Sequence, residues 1–362
     1  MKIIADQNMP QVQALFAPFG DVHLLPGREI KAQDLLDADV LLVRSVTQVN
    51  ADLLEHSNVR FVGSATIGTD HIDLAYLQMG NIHFAHAPGC NAEAVVQYDL
   101  SVMCHLMPNW QTKTVGIVGC GNVGARLYQR LSALGVSCQV YDPFLPTDSN
   151  ADLVEFDALY SCDILCLHTP ITINSEFPTH HLFNDKVLAR LKPDTLLINA
   201  GRGAVVDNRA LLAHLRRGAP LKVALDVWES EPCPNLDLMA LVALATPHIA
   251  GYSLEGKTNG TAMVFDAFLK VQGLTANRAQ KTGDKYENLG NIDRLDRAIL
   301  SSYDVMEDDK RMRAVLCKLT DSKAVGAQFD HLRKHYPVRR EFSYYAVTST
   351  DERFESLGFR RG

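Results

Sequence analysis

The feature that most constrains the fold is an apolar run that leads directly into three regularly spaced glycines. Residues 114–127 read TVGIVGCGNVGARL, so Gly119, Gly121 and Gly124 have the spacing G-x-G-x-x-G. A helical apolar pattern follows the glycines, and a second apolar run ends at residue 141. This order predicts a strand, a tight turn, a helix and a parallel second strand, which together form a unit that binds dinucleotides.

Each part of this unit has a physical role in binding a pyrophosphate. Gly119 permits the tight turn, Gly121 lets the backbone approach the ligand, and Gly124 lets the helix pack closely against the strand. The helix begins at Asn122 and Val123, where free N–H groups and the positive end of the helix dipole face the phosphates. We therefore predict that these five residues bind a cofactor.

An acidic residue after the second strand indicates which dinucleotide is bound. Asp142 follows that strand, close to the spacing of about 20 residues that is typical of the motif. A carboxylate there would accept hydrogen bonds from a ribose diol and would repel a 2′-phosphate. The sequence therefore predicts NAD rather than NADP.

Strand-like and helical segments alternate over most of the chain, in residues 1–92 and again in residues 93–252. This alternation predicts an α/β fold with two doubly wound parallel sheets covered by helices. We expect strands at 2–5, 22–25, 39–44, 59–63, 81–86, 114–118, 138–141, 163–167, 195–199, 222–227 and 243–246, and helices at 93–106, 122–134 and 183–191.

The last part of the chain has a different character. A helical pattern at about 253–274 is expected to complete the first domain. The chain is then polar and charge-rich from Thr275 to Asn291, and residues 339–349 are strand-like. Residues 275–362 could form a regulatory, dimerisation or substrate-completing domain, and composition alone does not choose among these roles.

Composition restricts the partners and the compartment. The net charge of −7 and the lack of a basic stripe argue against nucleic acid. We expect no membrane segment and no signal peptide, because no apolar run has the required length. The eight cysteines are scattered without a C-x-x-C motif, which predicts reduced thiols, a cytoplasmic location and no metal site.

Three further segments place ionisable side chains after predicted strands, at the sheet edge where ligands bind in open α/β folds. Arg202 lies in NAGRG, Glu231 in DVWESEP and His248 in TPHIAGY. A histidine can accept the proton of a hydroxyl group, and a neighbouring carboxylate stabilises the imidazolium that forms. An arginine can bind the carboxylate of the substrate. The set predicts oxidation of a 2-hydroxy acid, with the nicotinamide supplying the redox chemistry.

These motifs, in this order, resemble the D-2-hydroxyacid dehydrogenases over residues 1 to about 270. The resemblance implies two Rossmann-like domains, and Arg202, Glu231 and His248 as the catalytic residues. It also implies that Asp226 lies near the nicotinamide amide and that Thr169 lies near the adenosine half of NAD.

Further segments are similar to one branch of this family, and this similarity spans essentially the whole chain. They are IADQNMP (4–10), RSVTQVN (44–50), GSATIGTDHID (63–73), FPTHHL (177–182) and YPVRREF (336–342). The branch oxidises 4-phospho-D-erythronate with NAD to (R)-3-hydroxy-2-oxo-4-phosphobutanoate, in a bacterial route to pyridoxal 5′-phosphate. The resemblance also implies a C-terminal α+β dimerisation domain at 275–362, and hence a homodimer.

The same resemblance implies residues that bind the substrate and NAD. Ser45, Thr66 and Tyr252 would contact the substrate, and Gly251 would contact NAD. Arg44 is a candidate cation for the substrate phosphate, because it precedes Ser45 at the end of a predicted strand.

Two alternatives stay open. One is another D-2-hydroxyacid dehydrogenase, of the 3-phosphoglycerate or hydroxypyruvate type. The other is a binding protein that senses NAD without useful turnover, although a sensor need not keep Arg202, Glu231 and His248 together.

Overall fold

The computed structural model describes residues 1–146, 148–149, 151–275 and 285–362, which divide into two compact units. The first unit contains Met1–Asn91 and residues 253–275, and the second contains Ala92–Tyr252 and residues 285–362. Most of the polar stretch expected between Thr275 and Asn291 lies outside the described residues.

The strands within the described residues form three sheets, in which all neighbouring strands are parallel. They are β1 (Lys2–Asp6), β2 (Asp21–Leu25), β3 (Val40–Val43), β4 (Phe61–Ser64), β5 (His83–His86), β6 (Val115–Val118), β7 (Cys138–Tyr141), β8 (Ile164–Leu167), β9 (Leu196–Asn199), β10 (Lys222–Leu225), β11 (Leu244–Ala245), β12 (Glu287–Asn288), β13 (Tyr345–Val347) and β14 (Arg360–Arg361). The strands predicted from the sequence correspond to β1–β11, which confirms the predicted α/β fold class.

The helices cover these sheets. They are α1 (Val12–Phe16), α2 (Ala32–Leu35), α3 (Ala51–Leu54), α4 (Leu74–Met79), α5 (Ala92–Leu106), α6 (Asn122–Ala133), α7 (Asp185–Arg190), α8 (Asn208–Arg216), α9 (Leu236–Leu241), α10 (Leu254–Val271), α11 (Leu295–Ser302), α12 (Val305–Leu316), α13 (Ser322–Lys334) and α14 (Arg353–Leu357). In the part of the chain that the structure describes, no helix combines the length and apolar character that crossing a membrane requires.

The first unit has the strand order β2-β1-β3-β4-β5. Helix α10 packs on this sheet although it follows Ala92–Tyr252 of the second unit in sequence. A Cβ atom added at Gly63 of β4 would lie 2.3 Å from Cγ1 of Val264, so only a glycine allows this close approach. Val264 and Phe268 of α10 are fully buried in the same core as strands β1, β3 and β4.

The second unit contains the six-stranded sheet, in the order β11-β10-β9-β8-β6-β7. The chain turns to one side of β6 to form β7 and then crosses to the other side to form β8. The loops after β6 and β8 therefore flank the point where the strand order reverses, which is where such sheets bind ligands.

Residues 285–362 share the hydrophobic cores of the second unit. Ile299 of α11 and Leu357 of α14 are fully buried together with residues of α5 and α6, and Leu316 and Phe329 are buried beside β9 and β10. The expected strand at 339–349 is shorter than predicted, because the chain makes a 3₁₀ turn at Phe342–Tyr344 that buries Phe342 before β13 begins.

Candidate active site

The glycine-rich turn follows β6 at the strand-order reversal. Gly119 has a φ of +86°, a left-handed conformation that side chains disfavour. A Cβ atom there would also lie 2.8 Å from Cγ2 of Thr169. Val118 pairs with Leu167 across β6 and β8, so the register itself brings Thr169 beside this turn.

The other two glycines of the motif differ in what surrounds them. A Cβ atom at Gly124 would lie 1.9 Å from the carbonyl oxygen of Gly119, so the helix could not pack this closely with any side chain there. A Cβ atom at Gly121 would meet nothing within 4 Å. The protein's own packing therefore does not require a glycine at 121, whereas a ligand approaching the backbone does.

The surroundings of this turn fit a dinucleotide. Among the described residues, no side chain caps α6 at Gly121, so the N–H groups of Asn122 and Val123 can face an anion. The buried Oγ1 of Thr169 has no hydrogen-bond partner in the described part of the chain, as expected for a group that binds a ligand. Asp142 accepts hydrogen bonds from the N–H groups of Cys120 (2.8 Å) and Phe144 (3.1 Å) and keeps lone pairs for ribose hydroxyls.

The two residues predicted to form an acid–base pair are in contact. Nδ1 of His248 lies 2.7 Å from Oε2 of Glu231, and Oε1 of Glu231 accepts the N–H group of Trp228 at 2.9 Å. The side chains are 34% and 23% exposed, so the pair is partly shielded yet accessible to a substrate. Burial alone would raise the pKa of Glu231, but the charge of His248 and these hydrogen bonds outweigh burial and lower that pKa.

A buried carboxylate holds the loop that carries the histidine. His248 has a φ of +57°, which is strained for a residue with a side chain. Asp226 follows β10, and its side chain accepts the N–H groups of Ile249 (2.8 Å) and Ala250 (2.9 Å) as well as the hydroxyl of Thr246 (2.7 Å). Asp226 therefore orients the backbone of the histidine loop, a role that the sequence did not reveal.

Arg202 lies between two glycines in the loop after β9. A Cβ atom at Gly203 would lie 2.0 Å from the carbonyl carbon of Trp228, so the backbones of the arginine loop and the Trp228–Glu231 loop are in direct contact. Nη1 of Arg202 donates to the carbonyl oxygen of Gly201 at 3.0 Å. The second unit therefore brings the predicted catalytic residues to neighbouring loops at the carboxyl edge of one sheet.

The first unit carries three of the predicted substrate residues at one edge of its sheet. Val43 and Ser64 are opposite each other in β3 and β4, so Arg44, Ser45 and Thr66 follow at the same edge. Ser45 is exposed, and Arg44 and Thr66 are half-buried. The hydroxyl of Thr66 lies 2.7 Å from that of Ser64 and donates to the carbonyl oxygen of Gly68 at 2.8 Å.

The segment after His248 is supported by the C-terminal region. The guanidinium of Arg339 is buried, donates to the carbonyl oxygens of Ala250 and Ala94, and lies 4.3 Å from the ring centre of Tyr303. Arg339 thus holds the backbone just before Gly251 and the half-buried Tyr252 in place by hydrogen bonding.

Comparison with known proteins agrees with this geometry. Residues 95–250 match the family model of the D-isomer specific 2-hydroxyacid dehydrogenase, NAD binding domain, and residues 284–358 match a domain of unknown function. An erythronate-4-phosphate dehydrogenase of Teredinibacter turnerae is 48% identical and covers 99% of this chain and 98% of its own length. Another, from Cellvibrio japonicus, is 48% identical and covers 96% of this chain and 94% of its own length.

A solved structure supports the fold. The NAD-dependent formate dehydrogenase of Staphylococcus aureus, in complex with NAD, has a TM-score of 0.64 at 25% identity and covers 75% of this chain and 96% of its own length. The predictions of an oxidoreductase and of NAD as its cofactor are therefore confirmed. With 48% identity over almost its full length, the chain belongs to the D-isomer specific 2-hydroxyacid dehydrogenase family and, within it, to the erythronate-4-phosphate dehydrogenases.

Proposed function

We propose that this protein oxidises 4-phospho-D-erythronate at its C2 hydroxyl to (R)-3-hydroxy-2-oxo-4-phosphobutanoate, a step in the biosynthesis of pyridoxal 5′-phosphate. The observation that carries this proposal is the 2.7 Å contact between Glu231 and His248 after strands β10 and β11, in a chain related over its length to erythronate-4-phosphate dehydrogenases.

The chemistry follows from the side chains of the second unit. Because Glu231 engages Nδ1 of His248, Nε2 is the ring nitrogen that accepts the proton of the C2 hydroxyl. The Glu231 carboxylate stabilises the imidazolium that forms, and Arg202 binds the substrate carboxylate. When bound, NAD⁺ accepts the hydride that leaves C2, so that the products are the ketone, NADH and one proton.

The binding residues are assigned on the same basis. We propose that Arg44, Ser45, Thr66 and Tyr252 contact the substrate, which is supported by the shared sheet edge of the first three. The residues proposed to bind NAD surround the glycine-rich turn and the Asp226 network, and they are Gly119, Gly121, Asn122, Val123, Gly124, Asp142, Thr169, Asp226 and Gly251.

The test is turnover by the purified protein with 4-phospho-D-erythronate, 3-phosphoglycerate and D-erythronate, each followed by the absorbance of NADH. We expect the highest kcat/KM with 4-phospho-D-erythronate. His248→Gln should lose about 10²–10⁴-fold in kcat while NAD affinity is retained. A higher kcat/KM with 3-phosphoglycerate would mean that 3-phosphoglycerate, and not 4-phospho-D-erythronate, is the substrate. NAD binding without turnover of any hydroxy acid would indicate a protein that senses NAD.

Assembly and location are part of the proposal. We propose a homodimer whose interface involves residues 285–362, where Val338 is 77% exposed and Tyr286 is 55% exposed. Val338→Asp should then shift the sedimentation coefficient to that of a monomer. We also propose a cytoplasmic location, because the eight cysteines of the chain are unbridged thiols that suit a reducing compartment.

A further inference from the structure

Helix α13 of the C-terminal region packs against the loop that carries the catalytic glutamate. A Cβ atom at Gly326 would lie 3.0 Å from Sγ of Cys233 and 3.4 Å from Cγ of Pro232. Cys233 also donates its thiol to the carbonyl oxygen of Ser322, at the start of α13, at 3.1 Å. The helix therefore lies directly beside the residues that follow Glu231.

The same face of α13 presents an arginine one residue before its end. Arg333 is close to two helical turns after Gly326, so both residues lie on the face that packs against the second unit. The guanidinium carbon of Arg333 lies 5.7 Å from the ring centre of Tyr252. Arg333 thus reaches the segment that immediately follows the catalytic histidine.

The surroundings of Arg333 are polar and partly unsatisfied. Its Nε is buried and has no hydrogen-bond partner among the described residues, which is costly for a cationic donor unless a ligand completes its contacts. Burial would lower the pKa of this guanidinium, but its neighbours Tyr252, Glu231 and Asp330 outweigh burial and raise that pKa. The side chain is therefore a permanent cation.

Two other arginines in this region have structural contacts. Arg313 donates to the carbonyl oxygens of Met239 and Val242, and Arg311 pairs with the buried Asp308 at 2.8 Å. The Arg313 contacts join α12 to the end of α9, and the pair of Arg311 with Asp308 lies within α12 itself. Arg333 differs from them in that its neighbours are Tyr252 and Glu231, which we assign to the reaction.

A cation at this position would suit the substrate. Its phosphorus is only four bonds of about 1.5 Å from the C2 atom that faces His248, so the phosphate dianion stays within about 6 Å of C2 and within reach of a cation beside the His248–Glu231 pair. Arg202 is engaged by the carboxylate at the other end of the substrate. A guanidinium suits phosphate in particular, because its planar N–H groups can donate two parallel hydrogen bonds.

We propose that Arg333 is a specificity-determining residue that binds the phosphate group of the substrate beside Tyr252. This proposal rests on the proposed function. It gives the C-terminal region a direct part in recognising the substrate, in addition to its packing against the sheet.

The experiment compares Arg333→Ala and Arg333→Lys with 4-phospho-D-erythronate and with D-erythronate. Loss of a charge-assisted contact should raise KM for the phosphorylated substrate about 10- to 100-fold, with a smaller rise for the lysine variant. KM for D-erythronate should be unchanged, and Arg333→Lys, which keeps the positive charge near Glu231, should keep the pH profile of kcat. Lys334→Ala, at the exposed neighbouring residue, is the matched control and should behave as wild type.

A second measurement tests the residue without relying on the substrate. Inorganic phosphate should inhibit oxidation of D-erythronate competitively in the wild type, and much more weakly in Arg333→Ala. Equal losses with both substrates, or a shifted pH profile in Arg333→Lys, would mean that Arg333 only positions Glu231, and an unchanged KM would also overturn the proposal. If the wild type does not oxidise 4-phospho-D-erythronate, the proposed function fails, while phosphate inhibition with any accepted hydroxy acid still tests Arg333.

Discussion

Replacing Glu231 with glutamine tests the acid–base pair most directly. Both carboxylate oxygens accept N–H groups, one from His248 at 2.7 Å and one from the backbone of Trp228 at 2.9 Å. A glutamine offers only one oxygen. Because the backbone N–H group is a fixed donor, we expect the amide oxygen to face Trp228 and the NH₂ group to face Nδ1 of His248. The proton then resides on Nε2, which can no longer accept the substrate proton.

The size of the effect follows from these contacts. Loss of the charge-assisted hydrogen bond costs about 1.5–3 kcal/mol, which corresponds to roughly 10- to 100-fold in rate. The unfavourable tautomer adds to this loss, so we expect kcat to fall by about 10²–10³-fold. Since the lowered pKa of Glu231 keeps its carboxylate ionised, removal of this negative charge should also move the acid limb of kcat/KM to lower pH.

The assay is the pH dependence of kcat and kcat/KM, with NAD affinity measured separately by fluorescence quenching. Glu229→Gln is the matched control, because Glu229 lies on the same loop and has an equivalent contact with His181 at 2.6 Å. The control should keep its turnover even if its melting temperature falls as much as that of Glu231→Gln. Equal activity of the two variants, or an unchanged acid limb in Glu231→Gln, would refute the pairing.

The other predictions concern the cofactor and the C-terminal region. Gly121→Ala should fold normally but weaken NAD binding about tenfold in a titration. Gly124→Ala should instead lower the melting temperature by several degrees, because its Cβ atom would overlap the carbonyl oxygen of Gly119. The reverse pattern would contradict the roles assigned to the two glycines. Asp142→Ala should raise the ratio of kcat/KM for NADP to that for NAD at least tenfold, and an unchanged ratio would remove Asp142 from cofactor selection. Truncation after Leu274 should give aggregates in light scattering, because it uncovers the shared cores, and a folded monodisperse product would contradict this.

The parts of the fold that could be predicted are those encoded locally. Parallel strands that are buried on both faces are continuous apolar runs, as in β3, β6, β8 and β9, and they were apparent from the sequence alone. The edge strands β2 and β5 are less buried, but their short apolar runs were also recognised. The glycine spacing likewise specifies a backbone geometry, and Gly119 does adopt a positive φ. Ionisable residues at strand ends could also be expected to meet at one edge, as Glu231 and His248 do.

The remaining features depend on contacts between distant segments. Nothing around Arg333 in the sequence indicates a site, because its position follows from the packing of Gly326 against Pro232 and Cys233. The role of Asp226 in orienting the histidine loop was hidden for the same reason, since its partners are backbone N–H groups that have no sequence signature. The assignment of residues 275–362 to dimerisation stays a prediction.

The backbone contact between Gly203 and Trp228 limits which changes of sequence and loop length such an enzyme can accept. Neither loop can accept an insertion without displacing the other, so Arg202 and Glu231 have to keep their mutual position. Laboratory evolution toward longer or shorter hydroxy acids should therefore accumulate substitutions elsewhere, around Ser45 and Thr66 or along α13, while the 201–203 and 228–231 segments keep their lengths.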